Sequence, residues 1–373
     1  MKKIFYILLT AIVLIPGCGK YSSSPGPELD DKSGAYIFFD PEVINTKGTL
    51  ISGITLPPKV EESRFGVFGY REDGSRIFNM YHGSPATGQL ASAFNNVAVM
   101  YRQDAGGAFY YDALTLWTKG RHSFFAYFPY TDSPSEVLPA ISVASSATSR
   151  PSLTYVQPTE LDKMTDVLTA ATLNKLSTDS DSQPVQLKFE HRLFAFDVIL
   201  KNLQSASARG LRVKRASVEF TDVISGATLY FEDGADEDLY ADLSLGAATH
   251  TPFTHTFLTA EAPTLEIPAP AADQKAVEHN FNATSSFLFL PCPSLKVKFT
   301  MTFLNAWNEE CVFDTDVVTI APEGGLLPGY KYDLVINKKD NGEYIEFEAS
   351  LRLVYDSEGN HWDSSPEIDI EFN

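Results

Sequence analysis

The stretch Leu295-Lys-Val-Lys-Phe-Thr-Met-Thr-Phe303 decides the fold class. Leu295, Val297, Phe299, Met301 and Phe303 alternate with Lys296, Lys298, Thr300 and Thr302. A period of two places the apolar set on one face of a strand and the polar set on the other. Asn305-Ala-Trp-Asn-Glu-Glu310 reads as a turn and Cys311–Ile320 as the return, so the pair forms a hairpin with a longer loop. Strand patterns recur at Ala35–Asp40, Phe65–Tyr70, Ser123–Phe128, Gly210–Phe220, Ala227–Phe231, Tyr332–Ile336, Ile345–Leu353 and Ile368–Phe372. Between Leu187 and Leu200 apolar residues hold odd positions to Leu193 and even positions from Phe194, which one extra residue, a bulge near Leu193, explains. Leu161–Leu176 is the best helical window, and its periodicity is weak. Turn signals about every ten residues point to β-sandwiches.

The chain has 373 residues, long for one domain and right for two. The polar, proline-containing segment from Ser177 to Gln186 separates strong strand patterns. Two sandwich domains are therefore expected at 35–183 and 184–338, with a tail at 339–373. Hydrophobic residues make up 44%, enough for packed cores. Asp and Glu number 48 against 29 Lys and Arg, a net charge of −19, which repels phosphate backbones and argues against a nucleic-acid partner. Three cysteines cannot build a disulfide framework.

The first seventeen residues read as a secretory signal. Lys2 and Lys3 precede an apolar run from Ile4 to Ile15, too short to span a bilayer as a helix. Ile15-Pro16-Gly17-Cys18 is similar to a bacterial lipobox, which implies cleavage before Cys18 and lipid on its thiol. Loss of residues 1–17 removes two lysines and no acid, leaving 27 bases against 48 acids and a net charge of −21. Several acyl chains anchor stably where one holds weakly. Residues 18–34 are rich in Ser, Pro and Gly and read as a flexible tether.

No catalytic constellation is legible. There is no nucleophile elbow, phosphate-binding glycine loop or H-E-x-x-H helix. His250 and His255 could meet across a turn, but zinc needs two further ligands and none sits nearby. His191 falls at a strand position shared with apolar residues and reads as a structural histidine hydrogen-bonded to a neighbouring backbone. Cys292 and Cys311 fall at opposite ends of the expected hairpin, beyond disulfide reach. The acidic run 232–238 lacks the ligand spacing of a calcium loop and reads as solvated. No metal or cofactor is expected, and no enzymatic activity.

Five segments together resemble the fimbrillin family, subunits of lipoprotein-derived type V pili of Bacteroidetes. They are Phe65-Gly-Val-Phe-Gly-Tyr70, the aromatic run Trp117–Tyr130, Asp166-Val-Leu-Thr-Ala170, Leu187-Lys-Phe-Glu-His-Arg-Leu193 and Pro328-Gly-Tyr-Lys-Tyr332. The aromatics of the second are expected to be packing residues. The resemblance implies an all-β chain of two tandem transthyretin-like sandwiches, exported as a lipoprotein. It implies that a trypsin-like protease removes the N-terminus with the first strand, and that a strand of the next subunit fills the groove by β-strand addition. Here the first strand is Ala35–Asp40. Lys47 stands where the family usually carries Arg, with Lys59 and Arg64 as further processing candidates. The candidate donor is the tail, through Ile345, Phe347, Ala349, Leu351, Leu353, Ile368, Ile370 and Phe372; the tail's other reading is that it completes its own sheet. The expected partners are other pilus subunits, the outer membrane through Cys18, and an unidentified surface ligand. The expected location is the cell surface, then the fimbria after processing. A permanently lipidated anchor or adhesin of the same fold is the alternative. A glycan-binding lipoprotein is another, with Trp307 and Trp362 as its platform.

Overall fold

The computed structural model describes residues 32–43, 64–71, 94–102, 108–112, 114–118, 120–131, 141–144, 151–176, 183–231, 250–322, 324–340, 345–355 and 368–370. The first half supplies β1 (Lys32–Tyr36), β2 (Phe39–Val43), β3 (Arg64–Arg71), β4 (Val97–Arg102), β5 (Ala108–Tyr110), β6 (Leu116–Thr118), β7 (Arg121–Phe128), β8 (Ile141–Ala144), β9 (Ser152–Val156), β10 (Leu168–Leu176) and β11 (Val185–His191). The second half supplies β12 (Phe194–Leu203), β13 (Leu211–Ile224), β14 (Gly226–Tyr230), β15 (His250–Leu258), β16 (Leu265–Ile267), β17 (Ala276–Asn280), β18 (Phe287–Phe289), β19 (Leu295–Leu304), β20 (Glu310–Asp314), β21 (Val318–Ile320), β22 (Lys331–Asp340), β23 (Ile345–Tyr355) and β24 (Ile368–Ile370). Among the described residues the only helix is a 3-10 turn at Leu161–Lys163. The chain is all-β, as its alternation predicts.

An N-terminal sheet has the order β2-β11-β10-β7-β3-β4-β5, with β1 and β6 paired beside it. A small sheet has the order β14-β9-β8. The C-terminal half contributes two larger sheets. The tail sheet runs β17-β12-β22-β23-β24, with β18 also on β12. The hairpin sheet runs β15-β13-β19-β20, with β16 on β13 and β21 on β19.

The tail and hairpin sheets face each other. Leu295, Val297, Phe299, Met301 and Phe303 meet Phe196, Val198, Leu334 and Ile336 in one core. The predicted hairpin forms: Leu304 pairs with Glu310 and Thr300 with Asp314, and after a break Val297 pairs with Val318. The N-terminal sheet carries apolar residues on both faces. Phe65, Val67, Phe124, Ala126, Phe128 and Phe189 share one core. Phe68, Tyr70, Phe125 and Tyr127 join the other core with the small sheet and the facing sheets. Two covered faces explain why Phe65–Tyr70 is buried throughout. Each buried phenylalanine contributes about 1.5–3 kcal/mol.

Two local expectations are corrected. The helical window contains a 3-10 turn and then β10, an interior strand between β11 and β7. Its Leu168, Thr169 and Ala170 are all buried because sheet neighbours override weak helical periodicity. The expected bulge near Leu193 is a change of sheet: β11 pairs with β10 and β2, and β12 pairs with β22. The side-chain parity switches because two strands meet there, not because one strand kinks. Hydrogen bonding also crosses the expected boundary at 183/184. β11 lies in the N-terminal sheet, and β14 pairs with β9 of the first half.

Candidate functional site

The N-terminal segment forms the site. β2 lies at the edge of the N-terminal sheet, parallel to β11, with Phe39 opposite Val185 and Pro41 opposite Leu187. An edge tolerates Pro41, which has no N–H to give. The expected strand Ala35–Asp40 is thus divided between β1, which pairs with β6, and β2, with Ile37 and Phe38 between them.

Ile37 and Phe39 are buried. The Phe39 ring meets Phe65 at 6.5 Å, Phe94 at 5.6 Å, Phe124 at 5.4 Å and Tyr111 at 6.0 Å between centroids. These edge-to-face and tilted pairs are favourable for aromatic quadrupoles. The backbone is held from both sides: Ile37 N–H donates to Thr115 O at 2.8 Å, and Val185 N–H donates to Phe38 O at 2.7 Å. The Tyr111 hydroxyl donates to Ile37 O at 2.8 Å and accepts from Thr115 N–H at 3.1 Å. Burial pushes the Tyr111 phenol well above its ordinary value, so it remains a donor. Gln186 Nε2 donates to Asp40 Oδ2 at 2.8 Å. The segment is an edge strand: its backbone pairs with β11, and its Phe39 ring is buried among Phe65, Phe94, Tyr111 and Phe124. Tyr111, Thr115 and Phe94 escape a sequence reading because they lie far from β2 in the chain; the nearest signal is the apolar-aromatic cluster Phe109-Tyr-Tyr111.

The processing candidates are placed unequally. Cys18, Lys47 and Lys59 lie outside the described residues, as do the acidic run 232–238, Trp362 and Phe372. Arg64 opens β3; its residue faces Met100 in the ladder and its carbonyl accepts Tyr130 N–H at 3.1 Å. Arg64 itself is exposed, and the bond that follows it lies inside an interior strand.

The tail strand β23 completes its own sheet. It pairs antiparallel with the whole of β22, Ile345 opposite Asp340 and Leu353 opposite Tyr332. Ala349 and Leu351 are buried, and Ile345, Phe347 and Leu353 pack on the same core. Phe347 meets Phe313 at 4.5 Å and Phe303 at 5.4 Å, bridging to the hairpin sheet. On the opposite face Arg352 donates to Asp333 Oδ2 at 2.8 Å and to both Glu278 oxygens at 2.9 and 3.1 Å. β24, which holds Ile368 and Ile370, is a three-residue edge strand on β23.

Cys292 and Cys311 are free. His250 and His255 lie on one extended strand, β15, so the turn that would bring them together does not form. His250 Nδ1 instead approaches Asp222 Oδ1 at 2.9 Å. His191 finds a side chain instead of the expected backbone partner: Nδ1 lies 2.5 Å from Asp166 Oδ2. Among the described residues no group of three or more His, Cys, Asp or Glu could hold a metal ion.

A family model described as fimbrillin-like matches residues 59–346. The chain belongs to the fimbrillin-like family. That family is one of structural proteins rather than enzymes. The fimbrillin-like chain is also similar to solved structures. One is the fimbrial anchor protein Mfa2 from Porphyromonas gingivalis, at 11% identity and TM-score 0.34, covering 90% of this chain and 99% of that one. Another is the tip fimbrial protein Mfa3 from the same organism, at 9% identity and TM-score 0.34, covering 85% and 98%. A third is a candidate cell adhesion protein from Bacteroides ovatus, at 13% identity and TM-score 0.39, covering 86% and 97%. A search of curated protein sequences finds no match.

Proposed function

We propose that this fimbrillin-like chain is a cell-surface fimbrial subunit, tethered through lipid on Cys18, that assembles by strand exchange in the groove now filled by residues 32–43. The observation that carries this reading is the seating of Ile37 and Phe39 as buried residues of an edge segment. Removing that segment uncovers aromatic side chains and the β11 ladder together, and an incoming strand satisfies both. The processing points are Lys47 and Lys59, because cleavage at either severs the segment without breaking β3. The donor is the terminal strand at Ile368–Ile370 with Phe372, and β23 stays in place. Moving β23 would withdraw Ala349, Leu351 and Phe347 from their core, whereas β24 is a short edge strand.

The test uses the full chain. Treatment with a Lys-cleaving trypsin-like protease should give a new N-terminus after Lys47 or Lys59 and a ladder of oligomers on a non-boiled gel. Retention of lipidated Cys18 in assembled surface material would make the chain a permanent anchor instead. A processed chain that stays monomeric at high concentration would refute strand exchange.

A further inference from the structure

The most exposed large apolar side chain among the described residues is Trp307, at 78% of its full accessibility. By contrast Trp117 is fully buried. Trp307 sits in the turn between β19 and β20, and that turn is closely tied. Asn305 Oδ1 accepts the N–H of Trp307 at 3.0 Å and of Glu309 at 2.9 Å. Asn305 N–H donates to Glu309 O at 2.9 Å, and Asn308 N–H donates to Asn305 O at 3.1 Å. The Asn305 amide also donates to Glu309 Oε2 at 3.0 Å. Asn308 takes the left-handed conformation at φ 67°, which asparagine tolerates better than most residues. One side chain therefore organises the turn and fixes the backbone from which the indole projects.

We infer that Trp307 is a stacking platform for one neutral hexopyranose ring of a surface glycan. Three observations select that ligand. The indole has an open planar face, which suits the C–H face of a pyranose. Its chain neighbours Asn308, Glu309 and Glu310 are exposed and polar; one Glu309 oxygen takes the Asn305 amide and one Glu310 oxygen pairs with Lys214, which leaves the Asn308 amide and the other carboxylate oxygens for hydroxyls at the sugar's rim. A protein partner fits worse. A stable protein interface needs an apolar centre within about 800 Å² on each side, and Trp307 is followed in its turn by the exposed polar residues Asn308, Glu309 and Glu310. Anionic sugars fit worse too, since Glu309 flanks the site and the whole chain carries −19. The inference concerns this turn alone and stands whether or not the chain polymerises.

The experiment titrates the full chain with methyl glucoside, methyl galactoside, methyl mannoside and N-acetylglucosamine, reading tryptophan fluorescence and calorimetric heat. At least one neutral sugar should bind, Trp307→Ala should weaken it by about tenfold or more, and Trp307→Phe should retain most of the affinity. Asn305→Ala, which frees the turn, should give an intermediate loss. Circular dichroism and thermal melting of each variant should match the parent, because the side chain is exposed. The inference is overturned if no neutral sugar binds, if Trp307→Ala binds as well as the parent, or if Phe and Ala variants lose affinity equally. It is also overturned if sialic acid or heparin binds in preference. Sedimentation of Trp307→Ala decides the protein alternative: altered self-association would assign the indole to a subunit contact and sink the glycan reading.

Discussion

Gly66 illustrates how one residue in a short motif is fixed by a distant one. A Cβ added there would lie 2.1 Å from Tyr127 Cε1 and 2.9 Å from Asn96 Oδ1. The Tyr127 ring cannot retreat easily. Its hydroxyl donates to Asn96 Oδ1 at 2.7 Å or Thr131 O at 2.9 Å, and accepts Thr131 N–H at 3.2 Å. Gly66→Ala should therefore destabilise the chain by about 3 kcal/mol, as overpacking of a held aromatic does. Urea unfolding with an unchanged slope and a lowered midpoint is the expected record; an unchanged midpoint would mean the ring moves freely. A second residue-level prediction concerns His191. Burial opposes its charged form, yet the Asp166 carboxylate outweighs burial and raises its pKa above 6.5. A raised pKa in the folded state means the stabilisation is complete below pH 6.5 and is lost as pH rises through the folded value. Melting temperature should fall over that rise in the parent and much less in Asp166→Asn. Parallel profiles would show that the pair does not titrate as described.

Among the strands, β23 and β24 share one apolar-polar alternation, yet they differ in what removal would do. Deleting 356–373 takes away a three-residue edge strand. Deleting 339–373 takes away Phe347, Ala349 and Leu351 from the core and the Arg352 guanidinium from Asp333. It also uncovers Lys338, whose side chain is fully buried and donates to Arg209 O at 2.8 Å. The shorter deletion should melt near the parent and fail to extend an oligomer. The longer one should lose several kcal/mol, roughly the burial of three apolar side chains. Near-parent melting of the longer deletion would show that β23 is dispensable to its own sheet. Period-two alternation identifies a strand and its apolar face, which is why β3, β7, β13, β19 and β23 were legible. It does not say which sheet the strand joins. The parity switch at Leu193 therefore admitted a bulge, and only pairing partners reveal a passage between sheets. Strands of three to five residues such as β5, β6 and β16 contain too few alternations to stand out.

At the scale of the whole molecule, the fold class and the family were legible because both are carried by many segments in order. The candidate site was half legible. Its apolar occupant, Ile37-Phe-Phe39, is visible in one window. Its walls come from Phe65, Phe94, Tyr111, Phe124 and β11, which share no window with it. The net charge of −19 fits an exposed, soluble exterior and identifies no ligand.

The pairing of β2 with β11 has a consequence for the order of events during synthesis. Asp40 and Gln186 touch although they are 146 positions apart. Closing so long a loop is slow, and β2 can dock only once β11 has been made. Newly made chains should thus pass through a state in which the place of β2 is formed and vacant, the same state that the proposed removal of residues 32–43 would create. Refolding the full chain in the presence of a peptide spanning Pro366–Asn373 should trap that state as a stable complex. Refolding that ignores the peptide at any concentration would show that β2 docks before the groove can be entered.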